Sequence, residues 1–274
     1  MSIRTNIVYQ YDGSFDGFLC CVFECFYEKE DPCSIEREDM AQATLFPVKY
    51  IETDREKAGR VFASLSKKIS KNAEGFLKKA FLCETPDKEL KMLRFIRLGY
   101  RAGEKIMHMT TDDRVDALLK PVKALSNEAH YSLEFLRFSQ FDSFLAAQIT
   151  PKNNVLPLMA GHFCDRFPSE NFLIYDKTHS TVFFHQGDGK SEFLYETDIQ
   201  FPNPDEEEQN YRRLWKHFYN TIAIQGRINK KLRRNNMPMR YWGNMTEFIE
   251  EDSKPKFETK EINALESGKT ETGI

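Results

Sequence analysis

His162, Asp165 and Arg166 fall within little more than one turn of a segment, residues 156–166, whose apolar spacing predicts a helix. A carboxylate three residues after a histidine can orient the imidazole, and an imidazole so held is a general base poised near neutral pH. Asp176 and His179 follow in a predicted turn and bring a second carboxylate and imidazole close in the chain. No nucleophile or metal-ligand spacing accompanies these residues, so their plainer role is structural: helix-end charges for Asp165 and Arg166, a satisfied donor for His162. Asp12 and Asp16 flank the start of another predicted helix, where carboxylates are favoured by the dipole. Capping is their commoner use, and a catalytic pair the rarer one. The six cysteines contain no Cys-x-x-Cys, and Cys21 and Cys25 share one helical face. Buried free thiols are expected there rather than a disulfide framework or a metal site. No metal and no cofactor is expected in this chain.

Charge is the second signal. The 274 residues carry 39 Lys+Arg against 42 Asp+Glu, a net charge of −3. Residues 209–246 hold nine Lys/Arg and no acid, which leaves 30 Lys+Arg against 42 Asp+Glu, or −12, for the remainder. An acidic body with one concentrated basic segment implies an anionic partner. Taken as a single helix over 211–234, the segment places Arg212, Arg213, Lys216, Arg227, Lys230, Lys231 and Arg234 on one face, with Arg233 the exception. Tyr211, Leu214, Phe218, Ile222, Ile224, Ile228 and Leu232 fall on the other and are expected to face the core. Solvated helical faces mix signs, whereas this one has no carboxylate to relieve repulsion between neighbours. Phosphates would relieve it. Asn229, Arg240, Tyr241 and Trp242 complete the candidate nucleic-acid surface, the two rings as stacking platforms. Trp215 is expected to pack in the core.

Elements must position these groups. Residues 3–11 alternate as a strand, Asp12-Gly13 turns, and Ser14 caps a helix over 15–27 that Pro32 closes off. A second strand is predicted over 46–52 and a cap at Asp54, after which residues 55–133 read as helices, the last kinked or split by Pro121. From Glu134 the period changes to two. Short strands follow over 135–149, then the 156–166 helix, a hairpin of 172–175 with 181–185, and a strand over 192–196. The expected fold is α+β, with a helical middle, an antiparallel sheet in the C-terminal half and a long basic helix. One domain is expected over 1–252, with sub-parts 1–133 and 134–252, and a disordered tail from 253 to 274. No run of eighteen apolar residues and no export signal is present, so a soluble, cytoplasmic protein without membrane partners is expected.

Several segments carry a resemblance. Tyr11-Asp12-Gly13-Ser14-Phe15-Asp16-Gly17-Phe18-Leu19, Gly99-Tyr100-Arg101-Ala102-Gly103, His162-Phe163-Cys164-Asp165-Arg166-Phe167-Pro168 and Met237-Pro238-Met239-Arg240-Tyr241-Trp242 are among them. Together with Leu214-Trp215-Lys216-His217-Phe218 and Arg227-Ile228-Asn229, they resemble a family of DNA metabolism and repair proteins associated with a radical-SAM protein. A related domain of that family is fused to uracil-DNA-glycosylase-like domains. The chain departs from the pattern at Cys164 (usually Ala), Phe172 (usually Trp) and Tyr175 (usually His). The resemblance implies a DNA repair or modification protein that binds DNA, single strands included, and acts beside the radical-SAM protein. No Cys-x-x-x-Cys-x-x-Cys occurs here, so the iron–sulfur cluster and SAM belong to that partner. The alternative is an enzyme in its own right, hydrolysing the glycosidic bond of a damaged or modified base through the His162 region. Phosphate-binding loop, zinc-deaminase and helix-hairpin-helix signatures do not occur in the chain.

Overall fold

Asp12 ends the first strand and starts the first helix. Strand β1 (Val8–Tyr11) runs into a turn in which Asp12 Oδ1 accepts from Ser14 N at 2.9 Å and Ser14 Oγ at 2.7 Å. Ser14 Oγ in turn accepts from Gly17 N at 2.9 Å, capping α1 (Phe15–Tyr27) as the sequence predicts. Asp12 Oδ2 accepts from Thr53 Oγ1 at 2.7 Å and so pins this turn to a distant loop. Burial alone raises the Asp12 carboxyl, but the bonds from Ser14 and Thr53 outweigh it and hold it below the usual carboxylate range. A Cβ on Gly17 would lie 2.2 Å from Asp12 Oδ1, so only glycine fits under this clasp.

The computed structural model describes residues 6–40, 43–141, 144–195, 199, 201 and 204–249. The predicted tail from Ser253, residues 3–5 of the first predicted strand and Glu196 of the last lie outside the described residues. The chain divides into two units, Met1–Asn210 and Tyr211–Ile274.

In the first unit β1 pairs in parallel with both β2 (Ser34–Arg37) and β3 (Val48–Tyr50). The helical middle follows: α2 (Arg55–Lys68), α3 (Lys71–Phe81), α4 (Lys88–Ala102) and α5 (Asp113–Phe135). Asp54 caps α2 through Glu56 N, as expected. Pro121 does not split α5, which runs unbroken from residue 113 to 135. Its core comprises Phe18, Leu65, Leu77, Leu93, Phe95 and Leu125, each at most 1% exposed, with Cys20, Cys21 and Cys25 buried among them.

Beyond residue 135 the chain forms β4 (Ser139–Phe141), β5 (Phe144–Ile149), α6 (Leu156–Arg166), β6 (Phe172–Asp176), β7 (Thr181–His185) and β8 (Ser191–Leu194). These strands lie in sequence order in one sheet. The α+β class holds, with one difference. β5 and β6 pair in parallel, because α6 intervenes and returns the chain to the end where β5 began. The other three pairings are antiparallel.

The helical middle and the sheet meet at a buried carboxylate. Glu128 of α5, 1% exposed, accepts from Lys152 N, Asn153 N and Asn153 Nδ2 at 2.9, 2.9 and 2.7 Å. Asn153 Oδ1 accepts from Glu84 N at 2.9 Å, just before α4. Replacing Glu128→Ala strands two donors on a buried asparagine, at about 1–3 kcal/mol for each unsatisfied group. A loss of about 3 kcal/mol in urea unfolding is expected, with Glu128→Gln losing less.

Candidate functional site

The α6 residues do not assemble into a dyad. His162, Asp165 and Arg166 are all exposed on that helix, and the His162 ring meets only the edge of Phe163, centroids 5.2 Å apart. No hydrogen bond joins Asp165 to His162 among the described residues.

A carboxylate–imidazole pair forms instead at the β6–β7 turn. Asp176, fully buried, uses Oδ1 to accept from Thr178 N and His179 N at 3.0 and 3.2 Å. Its Oδ2 lies 2.7 Å from His179 Nδ1. Burial lowers the His179 pKa, but the bond to Asp176 and the carboxylates of Asp176, Glu84 and Glu128 outweigh it and raise it above the usual histidine value. The bonds close a turn in which Ser180 has φ +49°, which gives the pair a structural task.

One cluster escaped the sequence reading. His185 on β7 is 3% exposed, with Nδ1 2.7 Å from Ser191 Oγ and 3.5 Å from Cys164 Sγ. Its Nε2 is buried without a hydrogen-bond partner, and its ring lies 4.9 Å from that of Phe172. The residues come from α6, β7 and β8 and share no sequence spacing. Cys20, Cys21 and Cys25 are thiols raised by burial, Cys25 to about 12, consistent with packing.

The second unit carries the basic segment, and here the single-helix expectation fails. α7 (Glu206–Thr221), in which the boundary between units falls, stops at Thr221. A short 3₁₀ turn at Gln225–Arg227 follows, and α8 (Lys230–Asn236) starts afresh behind Asn229, whose Oδ1 accepts from Leu232 N at 2.9 Å. The wheel therefore holds within α7 and within α8 but not across them. The apolar face is not in a core either: Leu214, Phe218, Ile222, Ile224, Ile228 and Leu232 are each more than half exposed.

Arg212 and Lys216 are half-buried, and Lys216 Nζ donates to the Ile249 carbonyl at 2.9 Å. Arg227, Lys230, Lys231 and Arg234 are exposed, and their side chains make no ion pair or hydrogen bond among the described residues. The two expected stacking platforms are taken up inside the unit. Tyr241 is 9% exposed beneath the Arg240 guanidinium, 4.8 Å from its ring centroid, and Trp242 stacks on Phe248 with centroids 4.5 Å apart. Arg233, the exception on the wheel, lies 5.2 Å from the Trp242 ring and 5.4 Å from Phe248, and donates to Tyr219 Oη at 3.4 Å. It is a packing cation. Trp215, expected in the core, is 41% exposed and donates Nε1–H to Glu247 at 3.2 Å.

Between the end of α7 and α8 lies a cleft of about 820 Å³, lined by Tyr219, Ile224, Arg227, Ile228, Asn229 and Leu232 among others. Its lining is largely apolar and includes the guanidinium residues Arg227 and Arg233.

The chain is thus an α+β protein bearing a carboxylate-free cationic cleft. Residues 86–247 match DUF4130, a domain of unknown function, and the chain belongs to that family. No curated protein and no solved structure matches it. Among the described residues no helix is long and apolar enough to cross a membrane.

The raised His179 pKa has a thermodynamic consequence. The protonated ring contributes stability in full below its unfolded pKa of about 6.5, and that contribution is lost as pH rises through the higher folded value. An NMR titration is expected to place the His179 midpoint above that of a free histidine. Asp176→Asn should bring it down, and a midpoint unmoved by that change would refute the pairing.

Proposed function

We propose that this protein binds nucleic acid through Arg227, Lys230, Lys231 and Arg234, and serves DNA repair or modification beside a radical-SAM partner that carries the cluster and SAM. The observation behind the binding is the set of four exposed cations with no counter-ion among the described residues, in a stretch of nine Lys/Arg and no acid. Lys230, Lys231 and Arg234 sit within one short helix, where mutual repulsion costs a few tenths of a kcal/mol per neighbouring pair. Phosphates offset that cost. Long flexible cations suit backbone contacts and carry little base information, so binding is largely independent of sequence. The repair context rests on the resemblance of segments such as His162–Pro168 and Met237–Trp242 to that family. The exposed, unlinked His162 and Asp165 favour an adaptor over hydrolysis by this chain.

With about four phosphates neutralised, log K for an oligonucleotide is expected to fall against log salt with a slope of about −3. Reversing Lys230→Glu and Lys231→Glu together should weaken binding on every sequence alike. It should cost within about 0.5 kcal/mol of stability, since both are exposed. Fluorescence anisotropy at several salt concentrations measures both. Binding absent at low salt, or unchanged by the double reversal, would refute the reading. Co-expression with the radical-SAM protein and recovery of a complex tests the partner.

A further inference from the structure

We propose that the cleft between the end of α7 and α8 takes the unpaired bases of a single strand, whose phosphates meet Arg227 in its lining and run on to the cations of α8. This rests on the nucleic-acid reading above and narrows it to one form of the ligand.

The cleft joins two properties that no duplex satisfies together. Ile222, Ile224, Ile228 and Leu232 line it and are 58, 59, 52 and 55% exposed, a contiguous apolar floor left in water. Floors of this kind on a folded chain mark a binding surface. Arg227 lines the same cleft, and Lys230, Lys231 and Arg234 follow on α8, on the side away from its lining residues Leu232, Arg233 and Asn236, with no ion pair among the described residues. A fitting ligand is therefore anionic where it meets Arg227 and apolar over the floor. A double helix presents phosphates but keeps its base faces stacked inside, so the floor would stay wet. An unpaired strand presents both, and base faces on apolar and aromatic side chains are a recurring means of holding single strands.

Two further features select bases over acyl chains, which would also be apolar beneath an anionic headgroup. The surface is concave, with a volume of about 820 Å³, suited to inserted planar groups rather than to lying on a bilayer. Asn220, Asn229 and Asn236 line it as well. Their amides can meet base edges, whereas hydrocarbon would leave them unsatisfied at a cost of kcal/mol each. Tyr219, held by Arg233 at one end of the cleft, supplies the aromatic wall.

The test uses the full chain and fluorescence anisotropy at one low salt concentration with three probes. These are an oligothymidine of ~12 nucleotides, a duplex of the same length, and an abasic strand with the same phosphates. The oligothymidine is expected to bind about tenfold tighter than either of the others. A second arm replaces Ile224→Ser and Ile228→Ser together. Single-strand affinity should fall about tenfold while the salt slope stays as it was, because no cation is touched. Circular dichroism checks that the variant is folded. Equal affinity for the duplex or the abasic strand, or no effect of the double substitution, would overturn the inference while leaving phosphate binding intact. Binding of none of the three would overturn the nucleic-acid reading itself. Tighter binding to phosphatidylglycerol vesicles than to the oligothymidine would overturn it in favour of a membrane surface.

Discussion

The first unit is organised around one carboxylate that cannot reach water. Glu128 projects from the middle of α5 and receives the backbone and side-chain N–H groups of Asn153 and the backbone N–H of Lys152. A loop between a strand and a helix has polar backbone that must be satisfied wherever it is buried. Here the helix supplies the acceptor, so the segment from β5 to α6 can sit against the helical middle. Asn153 relays the constraint to Glu84, and Asn154 N donates to the Leu82 carbonyl at 3.0 Å. Through these bonds the ends of α3 and α4, the body of α5 and the start of α6 share one junction. The raised His179 belongs to the same neighbourhood, since Glu84 and Glu128 both act on it.

The second unit follows the opposite electrostatic logic. Where the first spends carboxylates on buried acceptors and caps, residues 209–246 avoid them altogether. The cap of α8 shows how far this extends. Asn229 bonds Leu232 N as an aspartate would, and aspartate would add a favourable charge at the helix start. The neutral amide keeps the surface cationic instead. In the first unit Asp54 and Asp112 cap α2 and α5 with carboxylates, while the hydroxyls of Ser14 and Ser70 cap α1 and α3. Arg233 separates from its neighbours. Its guanidinium is occupied by Trp242, Phe248 and Tyr219, whereas Arg227, Lys230, Lys231 and Arg234 have no ion pair among the described residues.

Local signals in the sequence carried over where the chemistry was local. Ser14, with Gly17 three residues on, marks a cap that depends only on residues within one turn, and the 156–166 helix has its apolar rows within eleven residues. β2 left no such trace. Its four residues pair with β1 twenty-six positions earlier, and that pairing, rather than its own composition, makes it a strand. The parallel β5–β6 pair was hidden for a related reason, because a period of two reports a strand but not its direction. In the basic segment the apolar period persists through Ile222, Ile224 and Ile228 although the helix ends at Thr221. A helix wheel counts spacing and has no access to that break. Tyr241 and Trp242 were placed on the surface by residue type, while their burial is decided by Arg240 and Phe248.

The same contrast separates the two places where this chain could do chemistry. A histidine acts as a general base when an unprotonated ring nitrogen has its lone pair free and facing a substrate. His179 has Nδ1 held to Asp176 and is bound into a hairpin turn. The imidazole of His185 has one nitrogen on Ser191 and the other sealed in the sheet. Each ring has one nitrogen engaged by a neighbour, and among the described residues no carboxylate bonds the exposed His162. The second unit is less constrained: Arg227, Lys230, Lys231 and Arg234 and the apolar residues Ile222, Ile224, Ile228 and Leu232 are all open to water. Free energy left uncompensated on a surface is available for binding. Of the two, the cleft beside α8 is the one whose side chains the fold leaves open.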